Sequence, residues 1–263
     1  MPYWFYCSKV LSKVQKHHSM TIRYEANPPK ITSREGLDES ISKFLEKINL
    51  ISKNCDAIHI TENVLGFERI SPLKVGKLIK KEIPDLPLTV SLRVRDKTQQ
   101  EIDNFVQEAI STGFSGILVL MGDPSQNGQK DSGLIPSTVV KQLHKNKIDK
   151  KIDLYLSISN KPNFSKIKKK LNANPKGFIT QVIQDVKQVE NLKNNLKGFS
   201  VIPIVLYPSE KNEDSAKFLN LDLGKYKENF EEFLNRVERI TGDVLVTSPR
   251  DFNSLKEFLA HRV

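Results

Sequence analysis

Three polar side chains carry most of the chemistry this sequence suggests: Glu25, Asp123 and Gln181. Glu25 closes the predicted strand Thr21 to Glu25, and Gln181 closes the predicted strand Gly177 to Gln181. A carboxyl at the end of a buried strand is partly desolvated, which disfavours its charged form and makes it a proton donor near neutrality. Asp123 follows the unbroken apolar run Ile117 to Leu120, the pattern of a strand buried on both faces. Gly122 lets the backbone approach a ligand closely and Pro124 ends the strand, so Asp123 is expected to face solvent or ligand and stay ionised. Two carboxyls in different surroundings can then take different roles, one as acid and one as anion. Gly-Asp-Pro is also good turn chemistry, and Glu25 could instead form a structural pair with Arg93; the residues alone leave both readings open.

Holding such residues together requires a regular scaffold. Strands are predicted at 21–25, 57–61, 88–94, 117–120, 152–158, 177–181, 201–207 and 243–247, with helical patterns between them. Leu37, Ile41, Phe44, Leu45 and Ile48 supply the apolar face of the first helix, with Ser33 as its cap, and Ser71-Pro72 opens the second. Ile102, Phe105, Val106 and Ile110 mark the third, Ser137 to His144 the next, and Phe164 to Leu171 a short basic one. Val182, Val186, Val189 and Leu192 form a later apolar face, as do Phe230, Phe233, Leu234 and Val237. Strand and helix alternate about eight times without a hairpin signal, which predicts an α/β fold of the closed (β/α)8 TIM-barrel type in a single domain. In that fold the strand C-terminal ends converge on one rim, so polar residues far apart in sequence become neighbours. Residues 20–263 are assigned to the barrel and 1–19 to an N-terminal extension.

Composition narrows the field further. The chain has 263 residues, 41 basic against 31 acidic, for a net charge of +10, which favours anionic partners without naming one. Cys7 and Cys55 have no metal-ligand or redox spacing, so reduced thiols and a cytoplasmic setting are expected, with no metal. No apolar run reaches the roughly 18 residues that span a bilayer, so no membrane partner is expected. His59 alternates within a strand and reads as packed, not as a ligand.

Four motifs at successive strand ends resemble the methylenetetrahydrofolate reductase family, the flavin-dependent barrel enzymes of one-carbon metabolism. They are Tyr24-Glu25-Ala26-Asn27-Pro28-Pro29-Lys30; Ile60-Thr61-Glu62-Asn63 with Gly66 and Arg69; Leu118-Val119-Leu120-Met121-Gly122-Asp123-Pro124; and Lys170-Leu171-Asn172-Ala173 leading to Phe178-Ile179-Thr180-Gln181. The resemblance runs from about Met20 to the C-terminus and matches the catalytic barrel alone. It implies reduction of a methylene-tetrahydrofolate, or a related tetrahydropterin, to the methyl form, with hydride passing from NAD(P)H through FAD. It implies Glu25 as the general acid, Asp123 and Gln181 as pterin contacts, Thr61 and Gly122 as flavin contacts and Lys170 as a contact to the flavin phosphates.

Three flavin-side positions depart from the family pattern. Met121 stands where an arginine is usual, Ser91 where a histidine is frequent, and Ile158-Ser159 where a tyrosine is familiar. The alternatives are therefore a flavin-poor or non-catalytic barrel that needs an electron-delivering partner subunit, and, further off, a nucleic-acid-binding protein using Lys161, Lys166, Lys168, Lys169 and Lys170. A proline-oxidising barrel would need a late arginine pair that is not evident. Homo-oligomerisation is left open.

Overall fold

The computed structural model describes residues 20–31, 36–124, 128 and 130–262, so Ser33 and the 1–19 stretch lie outside the described residues. Eight parallel strands close on themselves in sequence order: β1 (Thr21–Ala26), β2 (Ala57–Ile60), β3 (Leu88–Arg93), β4 (Gly116–Leu120), β5 (Asp153–Ile158), β6 (Gly177–Ile183), β7 (Ser200–Leu206) and β8 (Asp243–Thr247). Closure is made by β1 against β8, with Tyr24 in register with Val246. The expected (β/α)8 barrel is the observed fold.

The helices follow the apolar spacing. α1 (Leu37–Ile51) buries Ile41, Phe44 and Ile48. α2 (Pro72–Glu82) starts with Pro72 in its first turn, and Ser71 caps it by accepting from the Lys74 N–H. α3 (Gln99–Thr112) opens on a capping box between Thr98 and Glu101. α4 (Pro136–Lys145) precedes β5, and the basic segment after β5 splits into a 3-10 turn (Phe164–Lys166) and a single turn of helix, α5 (Lys168–Leu171). α6 (Val186–Asn195), α7 (Glu213–Phe218), α8 (Phe230–Thr241) and α9 (Phe252–Ala260) complete the ring. Phe230, Phe233, Leu234 and Val237 are buried on α8, as their spacing requires. Among the described residues no helix is long and apolar enough to cross a membrane.

The barrel interior is divided. Leu118, Tyr155, Ile179, Ile202 and Leu245 form one apolar layer inside the strands, set apart from the larger core between sheet and helices. On the β1–β3 side the interior is polar. His59 is 1% exposed, its Nδ1 2.9 Å from Thr89 Oγ1 and its Nε2 3.0 Å from Ser91 Oγ. Burial, and then the neighbouring Arg23 cation, push its imidazole down to about 3, so the ring is neutral. At the N-terminal end of the barrel Arg23 meets Asp243 through two 2.7 Å hydrogen bonds, Nε to Oδ1 and Nη2 to Oδ2, tying the first strand to the last.

Candidate functional site

The strands are parallel, so their C-terminal ends share one rim, and the residues nominated from the sequence all belong to it. Glu25 follows Arg23 by two residues on β1, and Thr247 follows Leu245 by two on β8, which keeps both on the inward side of the pleat. The Thr247 hydroxyl donates to Glu25 Oε1 at 2.7 Å. Glu25 is only partly exposed, and desolvation is the strongest influence on it, pushing the carboxyl above the usual carboxylate range; the Thr247 hydrogen bond offsets part of that rise. The pairing of Glu25 with Arg93 weighed from sequence does not occur: Arg93 uses its guanidinium elsewhere.

Thr61 sits beside this group, one residue past β2. Its amide donates to the Ala26 carbonyl at 3.0 Å and its hydroxyl to Asn27 Oδ1 at 2.7 Å. The first two motifs are stitched together around it. Lys30 and Arg69 form an isolated antiparallel bridge, Arg69 Nη1 donates to the Pro28 carbonyl at 2.6 Å, and the Arg69 amide donates to Asn63 Oδ1 at 2.9 Å. Glu62, between Thr61 and Asn63, is a structural clamp. Its Oε2 accepts from the Arg93 amide and its Oε1 from Lys97 Nζ, both at 2.7 Å. Burial raises the Glu62 carboxyl, and the Lys97 ammonium opposes that rise.

Asp123 arrives from the loop after β4 and is exposed, as expected. Its Oδ2 accepts from the Leu65 amide at 3.2 Å, and its main-chain carbonyl accepts from Arg93 Nη2 at 2.8 Å. Leu65 and its neighbours Asn63 and Gly66 all have positive φ (59°, 42° and 71°), which turns a main-chain N–H toward the carboxylate. Gly122 has φ 83°, and a Cβ there would lie 2.7 Å from Arg93 Nε, so glycine is required by the backbone and by the arginine beneath it.

Gln181 does not end its strand. β6 runs on to Ile183, and its register against β7 shifts between Ile179 and Val182. The irregularity leaves Gln181 exposed between buried Thr180 and half-buried Val182, with Thr180 Oγ1 filling the gap by accepting from the Ile204 amide at 3.1 Å. A bulge of this kind carries no sequence signal beyond the polar residue itself. Lys170, on α5, donates from Nζ to the Ser157 carbonyl at 2.6 Å, and burial lowers its ammonium. The structure therefore pairs Glu25 with Thr247 and Thr61 with Asn27 at neighbouring strand ends, ties Asp123 to the β2 loop, and sets Gln181 and Lys170 on the β5–β6 side of the same rim.

Three residues important to this arrangement were not singled out from sequence as site-builders. Thr247, the last residue of the predicted strand 243–247, holds Glu25, and Leu65 and Arg93 hold Asp123. A left-handed Leu has no composition signal. The buried arginine had one, a charge at the end of the otherwise uncharged stretch Leu88-Thr89-Val90-Ser91-Leu92.

Outside comparisons agree with this architecture. The chain resembles an uncharacterised protein from Clostridium thermocellum, described as binding two copies of 5-methyl-5,6,7,8-tetrahydrofolic acid, at 17% identity and a TM-score of 0.61, covering 92% of this chain and 93% of that one. It also resembles a mutant tryptophan synthase alpha-subunit from Pyrococcus furiosus at 11% identity and a TM-score of 0.55, covering 93% and 96%. At such identities the likeness concerns the fold. No curated protein matches the sequence. The family model described as methylenetetrahydrofolate reductase matches residues 10–209, well over half the chain and a span that includes Glu25, Thr61, Gly122, Asp123, Lys170 and Gln181. On that match, and with the barrel and the strand-end motifs in place, the chain belongs to the methylenetetrahydrofolate reductase family.

Proposed function

We propose that this protein reduces the methylene bridge of a methylene-tetrahydrofolate, or of a related tetrahydropterin, to the methyl form. The observation that carries the reading is the Glu25 carboxyl, raised by burial and hydrogen-bonded to Thr247 on the barrel rim. A carboxyl held above its ordinary range keeps its proton closer to neutrality and can give it to a bridge nitrogen as the carbon–nitrogen bond opens. The cation left on the carbon is an iminium, which a hydride converts to methyl; Glu25 regains its proton from solvent. Asp123 presents an anionic carboxylate suited to the ring N–H and amino donors of a pterin, and the Gln181 amide offers donor and acceptor together.

FAD is the group the family implies, and the donor set on this rim fits its phosphates. Lys170 spends one ammonium hydrogen on the Ser157 carbonyl and keeps two, with exposed Lys166, Lys168 and Lys169 on the same segment. Lys170 would hold the diphosphate, with Thr61 and Gly122 at the ring. When bound, a flavin supplies a hydride received from NAD(P)H. The departures have structural partners of their own: Met121 packs against the core and Ser91 is hydrogen-bonded to His59.

The test is direct. Purified protein, methylene-tetrahydrofolate, a flavin and NADH or NADPH are incubated, and methyl product is measured by mass spectrometry. Methyl product above the no-enzyme control supports the reading. Its absence with both nicotinamides and with a reduced-flavin donor counts against it.

A further inference from the structure

Arg93 lies at the C-terminal end of β3 with its side chain 1% exposed. Burying a guanidinium is costly unless its hydrogens are matched, and here three of the five are directed at rim loops. Nη1 donates to the Asn63 carbonyl at 2.7 Å, in the loop after β2. Nη2 donates to Asp96 Oδ2 at 3.1 Å, after β3, and to the Asp123 carbonyl at 2.8 Å, after β4. Nε lies under Gly122 without an acceptor. One planar fork thus spans three consecutive rim loops.

The two restraints on Asp123 both trace back to this fork. The first is direct, through the Asp123 main-chain carbonyl. The second is relayed: the carboxylate accepts from the Leu65 amide, and Leu65 belongs to the left-handed turn whose Asn63 carbonyl Arg93 holds. Arg95 reinforces the same loop from the side, its Nε donating to the Gly122 carbonyl at 3.0 Å. The other Asp123 carboxylate oxygen has no partner among the described residues and is the one offered to a ligand, in a direction set by these two contacts.

We infer that Arg93 is a positioning residue for substrate binding, acting through Asp123 by holding both its main chain and the turn that orients its carboxylate. The inference rests on the reading of Asp123 as a pterin contact. A lysine at 93 keeps the charge but offers one nitrogen on a flexible stem where arginine offers a planar fork, so it cannot hold the three loops in the same geometry.

The experiment is a double-mutant cycle on the full chain: wild type, Arg93→Lys, Asp123→Asn and the double variant, with kcat and KM for methylene-tetrahydrofolate and a thermal melt for each. Arg93→Lys is expected to raise KM on the order of 10-fold with kcat little changed, because Glu25 is untouched. In the Asp123→Asn background the same substitution is expected to leave KM nearly unmoved. Equal KM factors in both backgrounds, or no KM change in a folded Arg93→Lys protein, overturn the inference while the pterin reading of Asp123 stands. An unchanged KM in Asp123→Asn alone removes both. Should Arg93→Lys not fold, Asp96→Asn serves instead, since it weakens the ion pair that seats the guanidinium and leaves Asp123 and Gly122 unaltered. The same disappearance of its KM effect in the Asp123→Asn background is then required, and an undiminished effect overturns the inference.

Discussion

The Thr247 hydroxyl lies 2.7 Å from Glu25 Oε1 and donates to it across the seam where the last strand meets the first. The two residues are 222 positions apart, so this contact exists only because the barrel closes. It also bears on the proposed chemistry, because a donor to the carboxylate stabilises the charged form against the pull of burial.

Removing that donor should change the pH response in a definite direction. Thr247→Val leaves desolvation unopposed, so the Glu25 carboxyl rises further and stays protonated to higher pH. If Glu25 acts as the acid, activity falls as pH rises through its titration, and the alkaline limb of kcat/KM should move to higher pH in the variant. A pH–rate profile of both proteins measures this, and a limb moved to lower pH would speak against Glu25 as the donor.

Flavin retention is expected to depend on Lys170. Lys170→Met removes the one ammonium of its segment that is anchored to the barrel wall, and should weaken flavin binding on the order of 10-fold. Absorption spectra of wild type and variant after adding flavin and desalting give the answer. Equal retention in both would remove Lys170 from the flavin site.

His59 should make the fold sensitive to acid. Its folded value, about 3, lies below the ordinary 6.5, so the neutral ring is favoured in the fold; that contribution is complete above 6.5 and is lost as pH falls toward 3. His59→Phe should flatten the loss of stability over this window. It should also cost about 1–3 kcal/mol near neutrality by stranding the Thr89 and Ser91 hydroxyls. Denaturant unfolding across the pH range tests both, and an unchanged acid slope would contradict the assignment.

Much of this arrangement was legible in the residues. All eight strands fall within two residues of where apolar runs placed them at either end, because strands buried on both faces leave few alternatives. The exposed Asp123 and the raised Glu25 followed from their places at strand ends. Gln181 was misplaced as a strand terminus because a bulge is a tertiary event between β6 and β7. The partners of Glu25 and Asp123 were hidden for a related reason. Thr247 reaches Glu25 only on closure, and Leu65 reaches Asp123 only through a left-handed turn that Arg93 stabilises from below.

The most direct test of the central claim is turnover of methylene-tetrahydrofolate by Glu25→Gln. The amide oxygen can still accept from Thr247, so fold and substrate binding should persist, while the transferable proton is gone. Turnover is expected to fall by roughly 10²-fold or more, with circular dichroism unchanged. Turnover equal to wild type would contradict the account.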